Sequence, residues 1–402
     1  MRRWRYMICL AYSFTCELKH MCCVLRRQPE FLPDGMHPTT TTKRMFSYMR
    51  IFTTLSFITS TFLAATSLAE TVDFIDNGRG QVPVYLPSDY DGVTPLPLVF
   101  SLHGYSDPDV EAYFDFIPQV DEKQFIYCVP TGTTDAFGSA FWNGTDACCD
   151  FLNTNVDDSS YLRQLVEIIQ AQYAVDELSI HFTGISNGGF MTYRMACDHS
   201  DLIASIAPLA GTTFLDDSSC TPTDPVHVLH IHGTADSTIR YDGDCIVFNC
   251  YPGAEESIDS WRIYNGCDAV PTDGGPDFNL DWSVGGSETT STTYKQNCDD
   301  DVTVELWTMA ESEHVPNFRR NSDPLASNLF ANTALDWLLA HRKPGILQCP
   351  GDVDGNARVD IQDLLAVLQA WGSGDSTADT NLDGTVDVID LLAVAESWGD
   401  CP

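Results

Sequence analysis

The pentapeptide Gly184-Ile185-Ser186-Asn187-Gly188 constrains this 402-residue chain more than any other feature. The apolar, β-prone segment 178–183 precedes it, and the periodic segment 190–197 follows it. A G-x-S-x-G sequence between a strand and a helix is typical of a sharp turn that exposes the serine hydroxyl. The flanking glycines allow unusual backbone angles and a close approach of strand and helix. The sequence therefore predicts Ser186 as a nucleophile, against the alternative of an ordinary turn serine.

Two further segments supply the groups that a serine nucleophile needs. The segment 226–232 reads as a buried strand, and Asp236 lies just beyond its end. Later, 302–309 alternates like a strand, and His314 lies in the loop that follows. A serine hydroxyl is a poor nucleophile until a neutral imidazole takes its proton, and a carboxylate must hold that imidazole in the right tautomer. The order Ser186, Asp236, His314 is that of the α/β-hydrolase fold.

Other residues compete for the roles of acid and base. Asp236 could instead cap a turn, and Asp242 and Asp244 are close enough in sequence to replace it. Five other histidines lie in predicted strands or at a helix end and are interpreted as structural, namely His181, His227, His230, His232 and His341. His314 remains the predicted base because of its position.

An earlier strand predicts the donors that would stabilise an oxyanion. The apolar segment 95–102 ends at His103-Gly104-Tyr105. A His-Gly turn after an early strand is where such a hydrolase places one of its oxyanion amides. We therefore predict that the backbone N–H groups of Tyr105 and Asn187 form the oxyanion hole, each contributing a few kcal/mol of transition-state stabilisation.

The alternation of strands and helices predicts the fold class. Strands are expected near 82–86, 97–102, 125–129, 179–184, 204–209, 226–232 and 302–308, and helices near 158–173, 188–199, 254–264 and 325–341. This alternation predicts an α/β fold in which helices cover both faces of a mostly parallel sheet. About 270 residues suffice for one large core of this kind.

A duplicated acidic loop occupies the C-terminal segment. Residues 352–363 recur as 379–390, and each copy is followed by Leu-Leu-Ala-Val and then by Trp-Gly. Oxygen ligands at loop positions 1, 3, 5, 9 and 12, with a backbone carbonyl at position 7, suit a calcium ion. Ala357 replaces a turn glycine, so the first site is predicted to be weaker. Solvated loops without metal are the alternative. The predicted ligands are Asp352, Asp354, Asn356, Arg358, Asp360 and Asp363, and Asp379, Asn381, Asp383, Thr385, Asp387 and Asp390.

Several short motifs together resemble one enzyme family. Over about residues 72–342 the chain resembles the polyhydroxybutyrate depolymerase-like esterases, which are similar to carbohydrate esterase family one and include feruloyl and acetylxylan esterases. Two positions depart from that family: Tyr105 stands where cysteine is frequent, and Val315-Pro316 stands where tryptophan-proline follows the base. The motifs are Leu102-His103-Gly104, Trp142-Asn143, Cys148-Cys149, Asp157-Asp158, the segment 184–189, the segment 232–236 and Asn265-Gly266-Cys267.

The acidic repeat resembles a type I dockerin, a small all-α domain in which two loop–helix repeats each bind calcium. Position 12 is aspartate rather than the glutamate of an EF-hand, and no full helix precedes either loop. The resemblance implies a cohesin-bearing scaffold protein as partner, and a calcium-rigidified surface tether is the alternative. The predicted domains are an α/β-hydrolase esterase domain at 70–342, a linker at 343–348 and a dockerin at 349–402.

The N-terminal region predicts secretion. Met49-Arg50, the apolar segment 51–63 and Ser67-Leu68-Ala69 read together as a signal peptide at 49–69. The apolar segment is too short to predict a membrane span. Residues 1–48 are interpreted as a mis-called N-terminal extension.

The acidic composition argues against nucleic acid as a partner. The chain carries a net charge of −36, and residues 1–69 hold 9 of its 21 basic residues but 3 of its 57 acidic ones. Residues 70–402 therefore have 12 basic and 54 acidic side chains, a net charge of about −42. A phosphate backbone requires positive charge, whereas an acidic surface fits an extracellular enzyme kept soluble by repulsion.

The cysteine content predicts an oxidising compartment. Eleven cysteines follow residue 69, and their odd number leaves one thiol free, which we place at Cys128 in a predicted strand. The predicted disulfides are Cys197–Cys220, Cys245–Cys250, Cys267–Cys298 and Cys349–Cys401.

These features together predict a secreted serine esterase that removes feruloyl or acetyl esters from plant polysaccharide such as xylan through an acyl-enzyme, without a catalytic cofactor. One alternative is an extracellular poly(3-hydroxybutyrate) depolymerase, which uses the same three residues on a polymer surface. The other is a non-catalytic scaffold-bound module, which would be expected to lack part of the triad. The dockerin resemblance favours the polysaccharide esterase and implies an extracellular or cell-surface complex.

Overall fold

The structure is a computed structural model that describes residues 71–320, 328–343, 351–354, 356, 358–373, 378–380 and 385–401. The predicted extension at 1–48, the predicted signal peptide at 49–69 and residues 344–348 of the predicted linker lie outside the described residues. Ala357, Asn381 and Asp383 of the predicted calcium loops also lie outside them.

Strands and helices alternate along the chain in the order that the sequence predicts. The strands are Thr71–Asp76 (β1), Gln81–Leu86 (β2), Leu96–Leu102 (β3), Ile126–Cys128 (β4), Thr133–Thr134 (β5), Ala140–Phe141 (β6), Val175–Ile185 (β7), Ser205–Leu209 (β8), His227–Gly233 (β9), Asp244–Ile246 (β10), Asn249–Tyr251 (β11), Thr272–Asp273 (β12), Thr289–Tyr294 (β13), Val304–Met309 (β14), Arg358–Val359 (β15) and Gly399–Asp400 (β16). The α-helices are Glu111–Phe114 (α1), Val120–Lys123 (α2), Asp158–Gln172 (α3), Asn187–Asp198 (α4), Ala254–Tyr264 (α5), Leu329–Ala340 (α6), Ile361–Gln369 (α7) and Val388–Glu396 (α8), with 3₁₀ turns at Ile117–Gln119, Asp217–Ser219 and Asp299–Asp301. Among the residues that the structure describes, no helix is both long and apolar enough to cross a bilayer.

One ten-stranded sheet has the order β1-β2-β4-β3-β7-β8-β9-β14-β13-β12. Neighbouring strands from β4 to β14 in this order are parallel, and the pairs at both edges are antiparallel. The predicted α/β fold with a mostly parallel sheet is confirmed. The edge strands β12 and β13 were not predicted, because their threonine-rich sequences lack the apolar pattern of a central strand.

Alternating side chains of the central strands pack into cores on opposite faces of the sheet. In β3, Phe100 belongs to the core that also contains Tyr193 of α4 and Trp261 of α5. Its neighbour Val99 belongs to the core that contains Phe330 of α6. Both faces of the sheet are thus covered by helices, which explains the continuous apolar character of the central strands. Each fully buried side chain of this size contributes roughly 1.5–3 kcal/mol to stability.

Disulfide bonds tie loops to the ends of strands and helices. The predicted bonds Cys197–Cys220, Cys245–Cys250 and Cys267–Cys298 are confirmed, and Cys128 is free and buried, as predicted. The predicted bond Cys349–Cys401 includes a cysteine outside the described residues. The structure adds a bond between the adjacent residues Cys148 and Cys149, which the sequence analysis had quoted only as a family motif.

The two C-terminal repeats have matching local structure. Asp360 caps the N-terminus of α7 and Asp387 caps that of α8, each in a reciprocal capping box with the aspartate three residues later, Asp363 or Asp390. The helices enclose a small core that includes Val359, Val367, Val386 and Val394. The structure also contains the short antiparallel strand pair β15–β16, which was not predicted.

Candidate active site

Ser186 lies in the tight turn between β7 and α4. It is partly exposed, whereas the residues on either side of it are buried. Its backbone angles are φ 55° and ψ −119°, a combination that is unfavourable for a residue with a side chain and costs about 1–3 kcal/mol. The backbone N–H of Ser186 donates to the carbonyl of Leu209 on the neighbouring strand β8 at 2.9 Å, which helps to hold the turn.

Glycines permit this turn because the backbone is crowded on both sides. A Cβ atom on Gly188 would lie 2.0 Å from the carbonyl oxygen of Leu102, and one on Gly184 would lie 2.4 Å from the carbonyl oxygen of Gly188. Both distances are far shorter than any normal contact. The close packing of β7, α4 and the end of β3 therefore requires glycine at both positions.

The structure brings Ser186, His314 and Asp236 together. His314 Nε2 lies 3.0 Å from Ser186 Oγ, and His314 Nδ1 lies 2.7 Å from Asp236 Oδ2. A carboxylate only accepts hydrogen bonds, so Nδ1 carries the proton and Nε2 presents its lone pair to the serine hydroxyl. This is the tautomer that a general base requires.

Asp236 is fixed by the loop that follows β9. Its Oδ1 accepts the backbone N–H groups of Thr238 and Ile239, at 2.8 and 2.9 Å. Burial favours the neutral acid, but hydrogen bonds from His232 and His314 outweigh it and hold the pKa of Asp236 below its usual value. Of the competing acids, Asp244 forms an exposed ion pair with Arg240 at 3.0 Å. The acid bonded to His314 is thus the one that the sequence favoured.

A buried carboxylate holds the loop that carries His314. One oxygen of Asp281 accepts the hydroxyl of Ser312, two residues before the histidine, and the other accepts the N–H of Asn317 at 3.0 Å. Glu288 in turn accepts the backbone N–H of Asp281 at 2.6 Å. Asp281 is completely buried. Asp281 and Glu288 were not predicted, because no sequence pattern distinguishes them from the many other acidic residues of the chain.

His103 orients the first predicted oxyanion donor. Its Nδ1–H donates to the carbonyl of Gly104 at 2.7 Å, and its Nε2 accepts the N–H of Gly132 at 2.9 Å. Burial lowers the pKa of His103, which favours the neutral ring that this pairing needs. In a trans peptide the N–H points opposite to the carbonyl, so the N–H of Tyr105 points away from His103. A Cβ atom on Gly104 would lie 3.6 Å from Cβ of Ser186, so this peptide is next to the serine.

Asn187 provides the second predicted donor. It is the first residue of α4, so its backbone N–H has no carbonyl partner within the helix. Its side chain is fixed by the backbone of Trp142: Oδ1 accepts the N–H and Nδ2 donates to the carbonyl, both at 2.8 Å. The side chain is therefore occupied elsewhere, and only the backbone N–H is available to a bound oxyanion.

The wall behind the serine turn is a buried apolar cluster that contains the Cys148–Cys149 disulfide. Cys148 and Cys149 pack with Phe190, Ile239 and Tyr251 in a small cluster, in contact with the partly buried Tyr105. Asn187 Nδ2 lies 3.6 Å from Cys148 Sγ, so this cluster directly adjoins the serine turn. The loops that build the wall also carry exposed apolar side chains, namely Phe151, Leu152, Val247 and Phe248.

The C-terminal loops bring carboxylates together. Ligand oxygens of Asp352, Asp354 and Asp363 all lie within 4.8 Å of one another. Asp363 is completely buried, and its Oδ1 accepts the N–H groups of Val353 and Asp354. In the second loop the equivalent Asp390 accepts the N–H of Thr380 at 2.7 Å. Of the other predicted ligands, Asn356, Arg358, Asp360, Asp379, Thr385 and Asp387 lie in the same two loops and Asn381 and Asp383 are outside the described residues.

Curated relatives of the first domain are esterases. The chain is 28% identical to feruloyl esterase B of Piromyces equi over 50% of this chain and 38% of that protein. It is 31% identical to the probable feruloyl esterase C of Aspergillus niger over 42% of this chain and 58% of that protein. It is 28% identical to a bifunctional acetylxylan esterase/xylanase of Neocallimastix patriciarum over 41% of this chain and 23% of that protein. The chain thus spans less than two thirds of the length of each relative.

The C-terminal repeat matches a known family. Residues 350–397 match the dockerin type I domain. Both resemblances that the motifs predicted are therefore confirmed: the chain carries a dockerin type I domain at residues 350–397, and it is similar to feruloyl and acetylxylan esterases.

Proposed function

We propose that this protein is a secreted serine esterase that removes feruloyl or acetyl groups from plant polysaccharide. The observation that carries the proposal is the chain of contacts from Ser186 to His314 to Asp236, at 3.0 and 2.7 Å. A module without catalytic function would have no reason to keep this geometry beside a strained serine. The similarity to feruloyl and acetylxylan esterases supports the substrate class.

The acylation step follows from the positions of these groups. Ser186 Oγ attacks the ester carbonyl carbon while its proton passes to His314 Nε2, and Asp236 stabilises the resulting imidazolium. The carbonyl oxygen, now negative, accepts the N–H groups of Tyr105 and Asn187. When this intermediate collapses, the bond to the sugar oxygen breaks and His314 returns the proton to that oxygen. The acyl group remains on the serine.

Deacylation repeats these steps with water as the nucleophile. Water loses a proton to His314 Nε2 and attacks the acyl carbon, and the proton then returns to Ser186 Oγ as the acid leaves. No metal or organic cofactor takes part in these steps. The exposed apolar side chains on the loops of this wall would suit the aromatic ring of a feruloyl group, because such a surface gains free energy when it is covered. They are Phe151, Leu152, Val247 and Phe248.

The dockerin domain would bind two calcium ions. The convergence of Asp352, Asp354 and Asp363 fits a hard cation, because three carboxylates this close repel one another without one. The carbonyls of Arg358 and Thr385 would complete the two sites. A cohesin-bearing scaffold protein outside the cell would be the partner, and the disulfides of the described residues support an extracellular location.

Replacing the serine tests the proposed function. Ser186→Ala and His314→Ala should each reduce the turnover of methyl ferulate or acetylated xylan by several orders of magnitude, because each removes a group that acts directly on the ester. Circular dichroism should show an unchanged fold. Poly(3-hydroxybutyrate) film should remain intact with the wild-type protein. Near-normal turnover by Ser186→Ala would contradict the serine mechanism, and preferential degradation of the film would contradict the substrate class.

Replacing the acid tests its role in orienting the base. Asp236→Asn should reduce kcat by about 10⁴-fold with little change in KM, because an amide leaves His314 in the wrong tautomer without disturbing the substrate surface. Asp244→Asn, at an exposed ion pair, is the matched control and should retain full activity. If Asp242→Asn or Asp244→Asn were the damaging change, the assignment of Asp236 would be wrong.

Removing calcium should destabilise the C-terminal domain and leave the esterase domain folded. Chelation should unfold residues 349–402, because the carboxylates of the loops repel one another, while esterase activity survives in its separate core. Calorimetric titration of the full chain should detect two calcium ions, with the first-repeat site the weaker because of Ala357. Asp383→Ala and Asp390→Ala should each abolish the same site, that of the second repeat. If the titration detected no calcium and the segment stayed folded in the presence of chelator, the predicted calcium sites and the predicted cohesin partner would both be wrong.

A further inference from the structure

Two histidines that sequence analysis interpreted as structural connect to the acid of the candidate triad. His230 and His232 lie on the same face of β9 and are completely buried. Tyr193 Oη lies 2.6 Å from His230 Nδ1, and His230 Nε2 lies 3.0 Å from His232 Nδ1. His232 Nε2 lies 2.8 Å from the carbonyl oxygen of Ile239 and 3.3 Å from Asp236 Oδ2. Hydrogen bonds therefore run from α4 to His232, and a contact of 3.3 Å joins His232 to the acid.

The partners at the end of this chain fix the direction of every hydrogen bond. The carbonyl of Ile239 and the carboxylate of Asp236 can only accept, so His232 Nε2 carries a proton. In a neutral ring His232 Nδ1 is then an acceptor, and it must receive the proton of His230 Nε2. His230 Nδ1 is an acceptor in turn and receives the hydroxyl proton of Tyr193. Burial, together with the nearby His232, lowers the pKa of His230 well below its usual value, which favours this neutral state.

Asp236 consequently receives donors on all sides. Oδ1 accepts the N–H groups of Thr238 and Ile239, and Oδ2 accepts Nδ1–H of His314 and lies 3.3 Å from Nε2 of His232. The donor from His232 restrains the rotation of the carboxylate about its Cβ–Cγ bond. Rotation would move Oδ2 away from His314 and would break the bond that fixes the tautomer of the base.

We propose that His232 is a positioning residue for the triad acid, and that His230 and Tyr193 act through it by fixing its tautomer. The chain places a neutral N–H donor against Asp236 and leaves the negative charge on the carboxylate. An apolar residue on this face of β9 could pack against Tyr193 and Tyr241, so packing alone does not explain two buried imidazoles there. The inference rests on the proposed esterase function.

Two substitutions at one position separate hydrogen bonding from packing. His232→Leu should reduce kcat by about tenfold with KM unchanged, because it removes a donor to a charged group that does not touch substrate. His232→Gln should restore most of this loss, because its side-chain amide can present an N–H near the position of Nε2. The matched control is His227→Leu at the other end of β9, where the ring contacts Arg342 and Thr303 rather than the triad. It should destabilise the fold without changing the kcat of the folded protein.

The effect on kcat should also become smaller with each hydrogen bond that separates the substituted residue from His232. His230→Leu should reduce kcat less than His232→Leu does, and Tyr193→Phe should reduce it least, with active protein counted by titration of the serine so that loss of folded enzyme does not contribute. Full kcat in His232→Leu would overturn the proposal, and so would a loss in His232→Gln equal to that in His232→Leu. If Ser186→Ala retained activity, the esterase function itself would fail. If Ser186→Ala were inactive and His232→Leu kept the full kcat, only this inference would be overturned.

Discussion

The tight turn between β7 and α4 is the constraint on which the rest of the site depends. Its strained serine is tolerated because glycines on both sides let the helix approach the end of β3 within contact distance. That same approach brings the peptide of Tyr105 beside Ser186 and leaves the N–H of Asn187 at a helix start, without a carbonyl partner within the helix. One backbone arrangement therefore exposes the proposed nucleophile and sets the positions of the two proposed oxyanion donors.

Buried polar side chains position the other two members of the triad. Asp236 is fixed by backbone donors and by two imidazoles, and the loop of His314 is fixed on either side by Asp281. A buried carboxylate is stable only when its oxygens are satisfied, so each of these groups holds its neighbours in one geometry. The candidate triad is consequently held in one geometry by the residues that surround it.

The sequence predicted that Ser186, Asp236 and His314 lie together, as they do in the structure, but not the residues that surround them. Each of the three follows a recognisable strand, and parallel strands bring their ends to one edge of a sheet, so linear order was sufficient to predict their proximity. Asp281 and the partners of His103 are joined to the site only by tertiary contacts, which leave no periodic or spaced pattern. His232 was interpreted as structural because its position inside a strand indicates burial and says nothing of the acid one turn beyond. The bond between Cys148 and Cys149 was missed for a similar reason, since adjacency in sequence carries no signal of pairing.

The central claim is that Ser186 acts as a nucleophile activated by His314. Labelling of the full-length protein with a phosphonate ester that reacts irreversibly with activated serines tests it most directly, because the adduct can be located by mass spectrometry of peptides. We predict a single adduct on Ser186, none in Ser186→Ala, and labelling slowed by orders of magnitude in His314→Ala. An adduct on another residue, or equal labelling in His314→Ala, would contradict it.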